Sequence, residues 1–235
     1  MARFIFFDFF GTLVSYSPSR REQGYKVSYR VLKEAGGPQE YEEFLDLWCE
    51  VSDEFDLQAA NSHKEFSMHA VGNAFLQRAL GRAPSEQLTA SFVDAYLAEW
   101  NKGVRYLPGL REFLSRLSDC HTLALITNTS DSQLISAHLN QIGVRDLFRA
   151  VVTSVEYGSG KPHPGIFQHA MGLVGARPTE SIYVGDNFDA DYCGGSSAGM
   201  RAFLIDPDRQ SLVPDAARLI NLFELEDKLG IRREQ

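Results

Sequence analysis

Phe4-Ile5-Phe6-Phe7-Asp8-Phe9-Phe10-Gly11-Thr12-Leu13-Val14 is the stretch on which the fold turns. Its unbroken apolar run predicts a strand buried on both faces, the pattern of a central strand in a parallel sheet. Asp8 closes the run and a Gly-Thr turn follows. Ligands of open α/β sheets bind beyond the carboxyl ends of the strands, where Asp8 would stand. A carboxylate in such apolar company is costly unless a cation or hydrogen bonds compensate it. Asp8 is therefore a candidate active-site group, although an Asp after a strand is also an ordinary turn former or helix cap.

Outward from this stretch the texture changes twice. Over 21–103 the apolar residues recur at helical spacing and no strand is expected. Tyr25, Val27, Tyr29, Val31 and Leu32 form one face before the Gly36-Gly37-Pro38 break; Tyr41, Phe44, Leu45, Leu47, Trp48 and Val51 form a second. A third helix is expected after Ser62, carrying Phe66 through Leu80, and a fourth from Ser85 to Gly103, giving a helical bundle. From Tyr106 onward strands and helices alternate. Strands are expected over 122–126, 150–154, 181–184 and 200–205, and helices over 110–117, 132–142, 164–174 and from the fourth strand to about 198. A helical tail is expected over 219–229. Repeated β–α units imply a parallel sheet with helices on both faces. The expected class is α/β, a Rossmann-like parallel-sheet core over 1–15 and 106–235, interrupted by an all-helical domain over 16–105. Such an insertion at a loop tip on the ligand-binding edge would sit over the site.

The bulk numbers narrow the function. With 235 residues, 44% hydrophobic and 23% charged, the chain is long enough for one large domain with an insertion and is not of disordered composition. A net charge of -8 argues against a nucleic-acid or anionic-membrane partner. Cys49, Cys120 and Cys193 show no CxxC or Cys/His grouping, so neither a disulfide framework nor a zinc site is expected. No run has the length of a signal or membrane-spanning segment, and a cytoplasmic location is expected.

Polar residues at strand ends carry the chemistry. Asp8 can attack phosphorus and form an acyl phosphate that water cleaves. Thr127-Asn128 offers a hydroxyl and backbone N–H groups for phosphate oxygens; alternatively Asn128, Ser130 or Asp131 caps the following helix. In Gly158-Ser159-Gly160-Lys161-Pro162-His163-Pro164, a lysine in a stiff turn can neutralise a carboxylate and a phosphate; the ordinary alternative is a solvated surface lysine. In Gly185-Asp186-Asn187-Phe188-Asp189-Ala190-Asp191, acids after a buried strand suit Mg²⁺, which takes one or two carboxylates plus phosphate and water; the alternative is helix capping.

Asp8-x-x-Gly11-Thr12-Leu13, Ile126-Thr127-Asn128, Lys161-Pro162-x-Pro164 and Gly185-Asp186 with Asp191 together resemble, in order and spacing, the haloacid dehalogenase superfamily of hydrolases. The helical block resembles that family's C1-type cap in position and character. The resemblance implies that Asp8 is the nucleophile and a magnesium ligand, with the Phe10 backbone carbonyl and Asp186 as further ligands. It implies that Thr127 and neighbouring amides, Gly11 and Asn128 among them, bind the phosphoryl group. Lys161 would pair with Asp8 and the phosphate, and Asp191 would support the metal or orient Lys161. The implied activity is Mg²⁺-dependent hydrolysis of a small phosphorylated metabolite, by a monomer or homodimer.

The departure is Phe10. Phosphatases of the superfamily usually carry Asp there as general acid and base, and its loss costs on the order of 10²–10⁴ in rate. Three readings follow: a phosphatase that uses another acid or a good leaving group, a dehalogenase-like or phosphonatase-like hydrolase, or a phospho-ligand-binding protein of low turnover. Dehalogenases of this type have an aromatic Tyr at the position but lack the magnesium site, and the acids at 186 and 191 favour the phosphatase. Phosphonatase-type relatives use a cap lysine, and Lys26, Lys33 and Lys64 match no such motif. Arg20, Arg21, Tyr25, Lys26, Tyr29, His63, Lys64 and His69 are the candidate anion contacts of the helical block, His63 and His69 being also candidate acids.

Overall fold

All four residues of β1 (Phe4–Phe7) are buried. The computed structural model describes residues 2–17, 21–62 and 64–231. The chain divides into two compact units, Met1–Ser15 with Tyr106–Gln235, and Tyr16–Arg105. After β1 and the short β2 (Val14–Ser15), the second unit supplies α1 (Lys26–Glu34), α2 (Tyr41–Ser62), α3 (Met68–Leu80) and α4 (Glu86–Trp100). Next in the chain is β3 (Arg105–Tyr106), which pairs with β2, and the first unit resumes at Tyr106. There follow α5 (Leu110–Ser118), β4 (Thr122–Thr127), α6 (Ser132–Ile142), β5 (Phe148–Thr153), α7 (Ser154–Tyr157) and α8 (Pro164–Val174). Then come β6 (Ser181–Gly185), a π-helical turn over Phe188–Cys193, α9 (Gly194–Ser197), β7 (Arg201–Ile205), β8 (Arg218–Leu219) and α10 (Leu225–Leu229).

Six strands form one sheet in the order β5-β4-β1-β6-β7-β8, and its ladders are parallel. β1 is held on both sides, Phe7 facing Leu125 of β4 and Val184 of β6. A strand paired on both edges and covered on both faces has no position for a polar side chain, which is why its sequence does not alternate. Phe6, Ala124, Ile126, Phe167, Ala170 and Tyr183 pack in one core cluster against α8.

The helical unit has its own core, in which Phe44, Trp48, Phe75, Phe92 and Tyr96 are buried. Phe75 stacks on Phe92 at 4.9 Å and Trp48 meets Tyr96 at 4.4 Å. Its polar group of note is Glu99, whose carboxylate accepts from the backbone N–H groups of Val27 and Ser28, each at 3.0 Å. Tyr25, the residue before α1, has a left-handed backbone and no side-chain cap bond, so Glu99 of α4 satisfies the orphan donors of α1 from outside.

Three expectations are corrected. The third helix begins at Met68 rather than including Phe66, because the Ser67 hydroxyl accepts from the Ala70 N–H and caps it there. The third strand begins at Phe148, two residues early, and ends before Ser154, which opens α7. The expected tail over 219–229 is a strand, a short turn and a helix: Leu219 pairs with Ile205 as part of β8, and only Leu225–Leu229 is α-helical. Arg218 obscured that strand, since its guanidinium is buried by its ion pair with Asp206 and by bonds to the Ser211 and Val213 carbonyls. Among the described residues no helix is long and apolar enough to cross a membrane.

The aromatic cluster yields a stability prediction. Phe92→Ala should cost about 3–5 kcal/mol in urea unfolding, the range for a buried Phe cut back in a packed core; a loss below about 1 kcal/mol would show that the cluster is loosely packed.

Candidate active site

Three adjacent strands deliver the site to one edge of the sheet. Asp8 follows β1 directly, Thr127 is the last residue of β4, and Asp186 follows β6. The in-register pairing of Phe7 with Leu125 and Val184 brings these ends together. The Asp8 N–H donates to the Val184 carbonyl at 2.9 Å, so β1 and β6 stay paired up to the carboxylate.

Lys161 is the hub. Its Nζ donates to Asp8 Oδ1 at 2.7 Å, Asp191 Oδ1 at 2.6 Å and Tyr183 Oη at 2.8 Å. An ammonium has three N–H bonds, and all are engaged. The lysine is buried, 7% exposed, in a loop between α7 and α8. The loop is clasped by Asn128, whose Oδ1 accepts from the Lys161 N–H at 2.7 Å and whose Nδ2 donates to the Lys161 carbonyl at 3.0 Å. The Lys161–Pro162 peptide is cis. His163 caps α8 through Nδ1, which accepts from the Gly165 N–H.

Carboxylate oxygens of Asp8, Asp186 and Asp191 lie within 4.8 Å of one another. Asp191 stands in the π-helical turn, a form of helix often found at functional positions, and its Oδ2 accepts from the Asn187 N–H at 2.9 Å. Two glycines make room. Gly11 has φ +83°, and a Cβ there would collide with the Asp186 carboxylate; a Cβ on Gly185 would collide with Asp191.

The electrostatics are unbalanced toward negative charge. Burial pushes the Asp8 carboxyl up to about 6, against the attraction of Lys161 and with the repulsion of Asp191. Asp186 reaches the surface, yet desolvation by its walls and then the charges of Asp8 and Asp191 push it up to about 7. Burial works against the Lys161 ammonium, but Asp191 and Asp8 together outweigh it and its pKa is raised. Three carboxylates around one ammonium leave two negative charges uncompensated when all are ionised. An all-oxygen donor set of this charge fits a hard divalent cation.

Two hydroxyls remain, one at the end of β4 and one in the turn between β1 and β2. Thr127 Oγ1 and Thr12 Oγ1 are buried and have no hydrogen-bond partner among the described residues. A buried hydroxyl without a partner is costly, and at a strand end it is ready to donate to an anion's oxygen. The N–H of Gly11 is already bonded to the Val14 carbonyl, and both polar atoms of the Asn128 side chain hold Lys161, so neither of those groups is free for a ligand. The α6 cap is Asp131, whose Oδ1 accepts from Gln133 and Leu134. Phe10 is half-buried, its ring against Phe9 at 4.9 Å and His138 at 6.3 Å. Burial lowers the pKa of His138, and its Nδ1 is 2.9 Å from the Tyr106 hydroxyl.

Within the helical unit the expected anion contacts separate. Arg21 is paired with Asp46 and Glu42, Tyr25 is buried against Tyr96, and Tyr29 donates to the Gln39 carbonyl. Lys26, Lys64 and His69 are exposed. Arg20 and His63 lie outside the described residues.

Tyr183, Thr12 and His138 are the neighbours that the sequence reading missed. Tyr183 had a signal, a hydroxyl amid the apolar Ile182 and Val184 of a fully buried strand. Thr12, in the turn after β1, cannot be told from an ordinary turn former by sequence. His138, on α6, is joined to Phe10 by tertiary packing alone.

A family model described as a haloacid dehalogenase-like hydrolase matches residues 2–199. The chain is 24% identical to a ribulose-1,5-bisphosphate 5-phosphatase of Halopiger xanaduensis, over 92% of this chain and 90% of the relative. It is 28% identical to a glyceraldehyde 3-phosphate phosphatase of Methanopyrus kandleri, over 85% of this chain and 82% of the relative. Among solved structures, a 2-haloacid dehalogenase from Pseudomonas syringae superposes with a TM-score of 0.76 at 24% identity, covering 98% of this chain and 99% of that one, and shares the fold.

The charge imbalance has a measurable consequence. Asp8 and Asp186 hold their protons to about 6 and about 7 in the folded protein, whereas unperturbed they would lose them near 3.8. Between those values the folded state binds more protons, so without divalent cations their contribution to stability falls as pH rises from 4 to 7. Asp186→Asn in chelator should therefore stabilise the protein at pH 8, on the order of 1 kcal/mol after allowing for solvent screening, and leave it unchanged at pH 3. Calorimetric melts at both pH values check this; destabilisation at pH 8 would refute the imbalance.

Proposed function

The chain belongs to the haloacid dehalogenase-like hydrolases, and from that membership we propose that it is a Mg²⁺-dependent phosphatase of a small phosphorylated metabolite in the cytoplasm, with Asp8 as the nucleophile. The observation that carries this reading is the cluster of Asp8, Asp186 and Asp191 around a single lysine, an excess of negative charge that displacement of halide does not need. The names of the curated relatives support phosphate esters as the substrate class. The helical unit corresponds in chain position to a C1-type cap.

An Asp8 carboxylate oxygen attacks phosphorus; the new O–P bond forms as the ester O–P bond breaks, leaving an acyl phosphate on Asp8. Lys161 neutralises and aims the attacking carboxylate, and Asp191 holds the lysine in place. The Thr127 hydroxyl donates to a phosphoryl oxygen, a bond that ends its isolation. Asp8, the Phe10 carbonyl and Asp186 would hold Mg²⁺, with Asp191 in support, and the ion would neutralise charge on the phosphoryl oxygens. Phe10 has no proton to give, so the leaving oxygen takes its proton from another group or from solvent, or leaves unprotonated. Water then cleaves the acyl phosphate, releasing phosphate and restoring Asp8.

A dehalogenase reading draws on one feature, the aromatic ring at position 10, and makes opposite predictions. A panel of phosphorylated metabolites should release phosphate only with Mg²⁺, and Asp8→Asn should abolish release; halide release from 2-chloropropionate that survives chelation would overturn the phosphatase reading. Phe10→Asp should raise turnover of alkyl phosphates by on the order of 10²-fold or more, the usual contribution of a general acid. No gain in steady-state assays would mean that the site lacks more than that acid.

A further inference from the structure

We infer that Tyr183 is a positioning residue for the reaction, its hydroxyl fixing the Lys161 ammonium against Asp8. Tyr183 is fully buried in β6 between Ile182 and Val184, where a hydroxyl is unfavourable unless bonded. Its oxygen accepts from Lys161 Nζ at 2.8 Å and lies 2.9 Å from the Ile126 carbonyl and 3.2 Å from Asp191 Oδ1. A phenol has one proton, and the nearer acceptor is the carbonyl of Ile126. That carbonyl belongs to the backbone of β4 and does not move with solvent or side chains. The phenol is thereby anchored to the sheet, and its lone pair presents a fixed acceptor to Lys161. The ring is braced by Phe167 at 5.2 Å, edge to face.

The consequence concerns the lysine. A lysine ammonium rides on a flexible four-carbon stem and carries three donors. Asp8 and Asp191 take two of them and Tyr183 takes the third. While these bonds hold, no N–H remains for a phosphoryl oxygen. Without the Tyr183 hydroxyl the third N–H would be free, and the ammonium could swing toward an incoming anion and away from Asp8. Asn128 holds the backbone of the same residue, so Lys161 is fixed at both ends, and the ammonium end depends on Tyr183.

This role rests on the reading that Asp8 is the nucleophile, and two measurements separate the claims. The first reads the ammonium directly. Its ¹H–¹⁵N resonance, assigned by its loss in Lys161→Met, should exchange slowly with water in the wild type and show a nuclear Overhauser contact to the Tyr183 ring. In Tyr183→Phe, which retains the ring, exchange should accelerate about tenfold, the loss of one hydrogen bond. The second is kinetic. For Tyr183→Phe, kcat toward a phosphate ester in saturating Mg²⁺ should fall roughly 10–100-fold, the scale of a misplaced catalytic group, while KM stays level or falls because a freed N–H can reach the substrate. A merely structural role would leave kcat per folded molecule and KM unchanged. Slow exchange and full kcat retained in Tyr183→Phe would overturn the positioning role and leave the Asp8 reading intact. No ring contact in the wild type would also overturn it. Accelerated exchange in a protein that hydrolyses no phosphate ester would uphold the positioning role and remove the phosphatase reading.

Discussion

The ion pair of Lys161 with Asp8 and Asp191 is the contact on which the site depends. Each partner is buried, and an isolated buried charge is untenable. One ammonium partly compensates the carboxylates gathered there, and the geometry is specific: the lysine loop is held by Asn128 from the end of β4, Asp8 by β1, and Asp191 by the turn after β6. Because a buried pair gives little net stability and is costly to break, its presence speaks for function more than for folding. The sheet supplies what stabilises it, a core of Phe6, Ala124, Ile126, Phe167 and Tyr183 in which β1 is enclosed on both edges.

The same enclosure explains why the fold was legible. A central strand has no solvent face, so Phe4–Phe7 reads as one apolar run and can hardly be anything but the middle of a parallel sheet. The residues that follow the strands are polar because they stand at the open edge. Asp8, Thr127, Asp186 and Asp191 could be picked out for that reason and Lys161 by its glycine- and proline-bounded loop, and the acids and the lysine converge in space. The helical block was equally legible from its period, because its core is a stripe of aromatic residues at helical spacing.

What stayed hidden depended on tertiary partners. Asn128 reads in the sequence as a backbone donor or a helix cap, whereas the use of its side chain is set by a loop 33 residues away. Gly11 looked like a free amide, but its N–H closes the turn onto Val14. Arg218 concealed a strand because a buried guanidinium is not expected in a sheet, and only its pairing with Asp206 makes it tolerable. Tyr183 sat in a strand already assigned to the core, where a hydroxyl is easily passed over as part of an aromatic. Phe10 was legible as a departure, and its ring lies against Phe9 and His138 with no carboxylate in its place.

The central claim is that the Asp8 carboxylate accepts the phosphoryl group, and the acyl phosphate can be trapped. Phe10 supplies neither acid nor base for breakdown of the proposed intermediate, which favours its accumulation. The enzyme is mixed with Mg²⁺ and a phosphate ester, quenched with borohydride, digested and analysed by mass spectrometry. The account predicts substrate-dependent reduction of Asp8 to homoserine in the peptide containing Phe4–Phe7. Turnover with Asp8 unreduced, or with the phosphoryl group trapped on another residue, would contradict it.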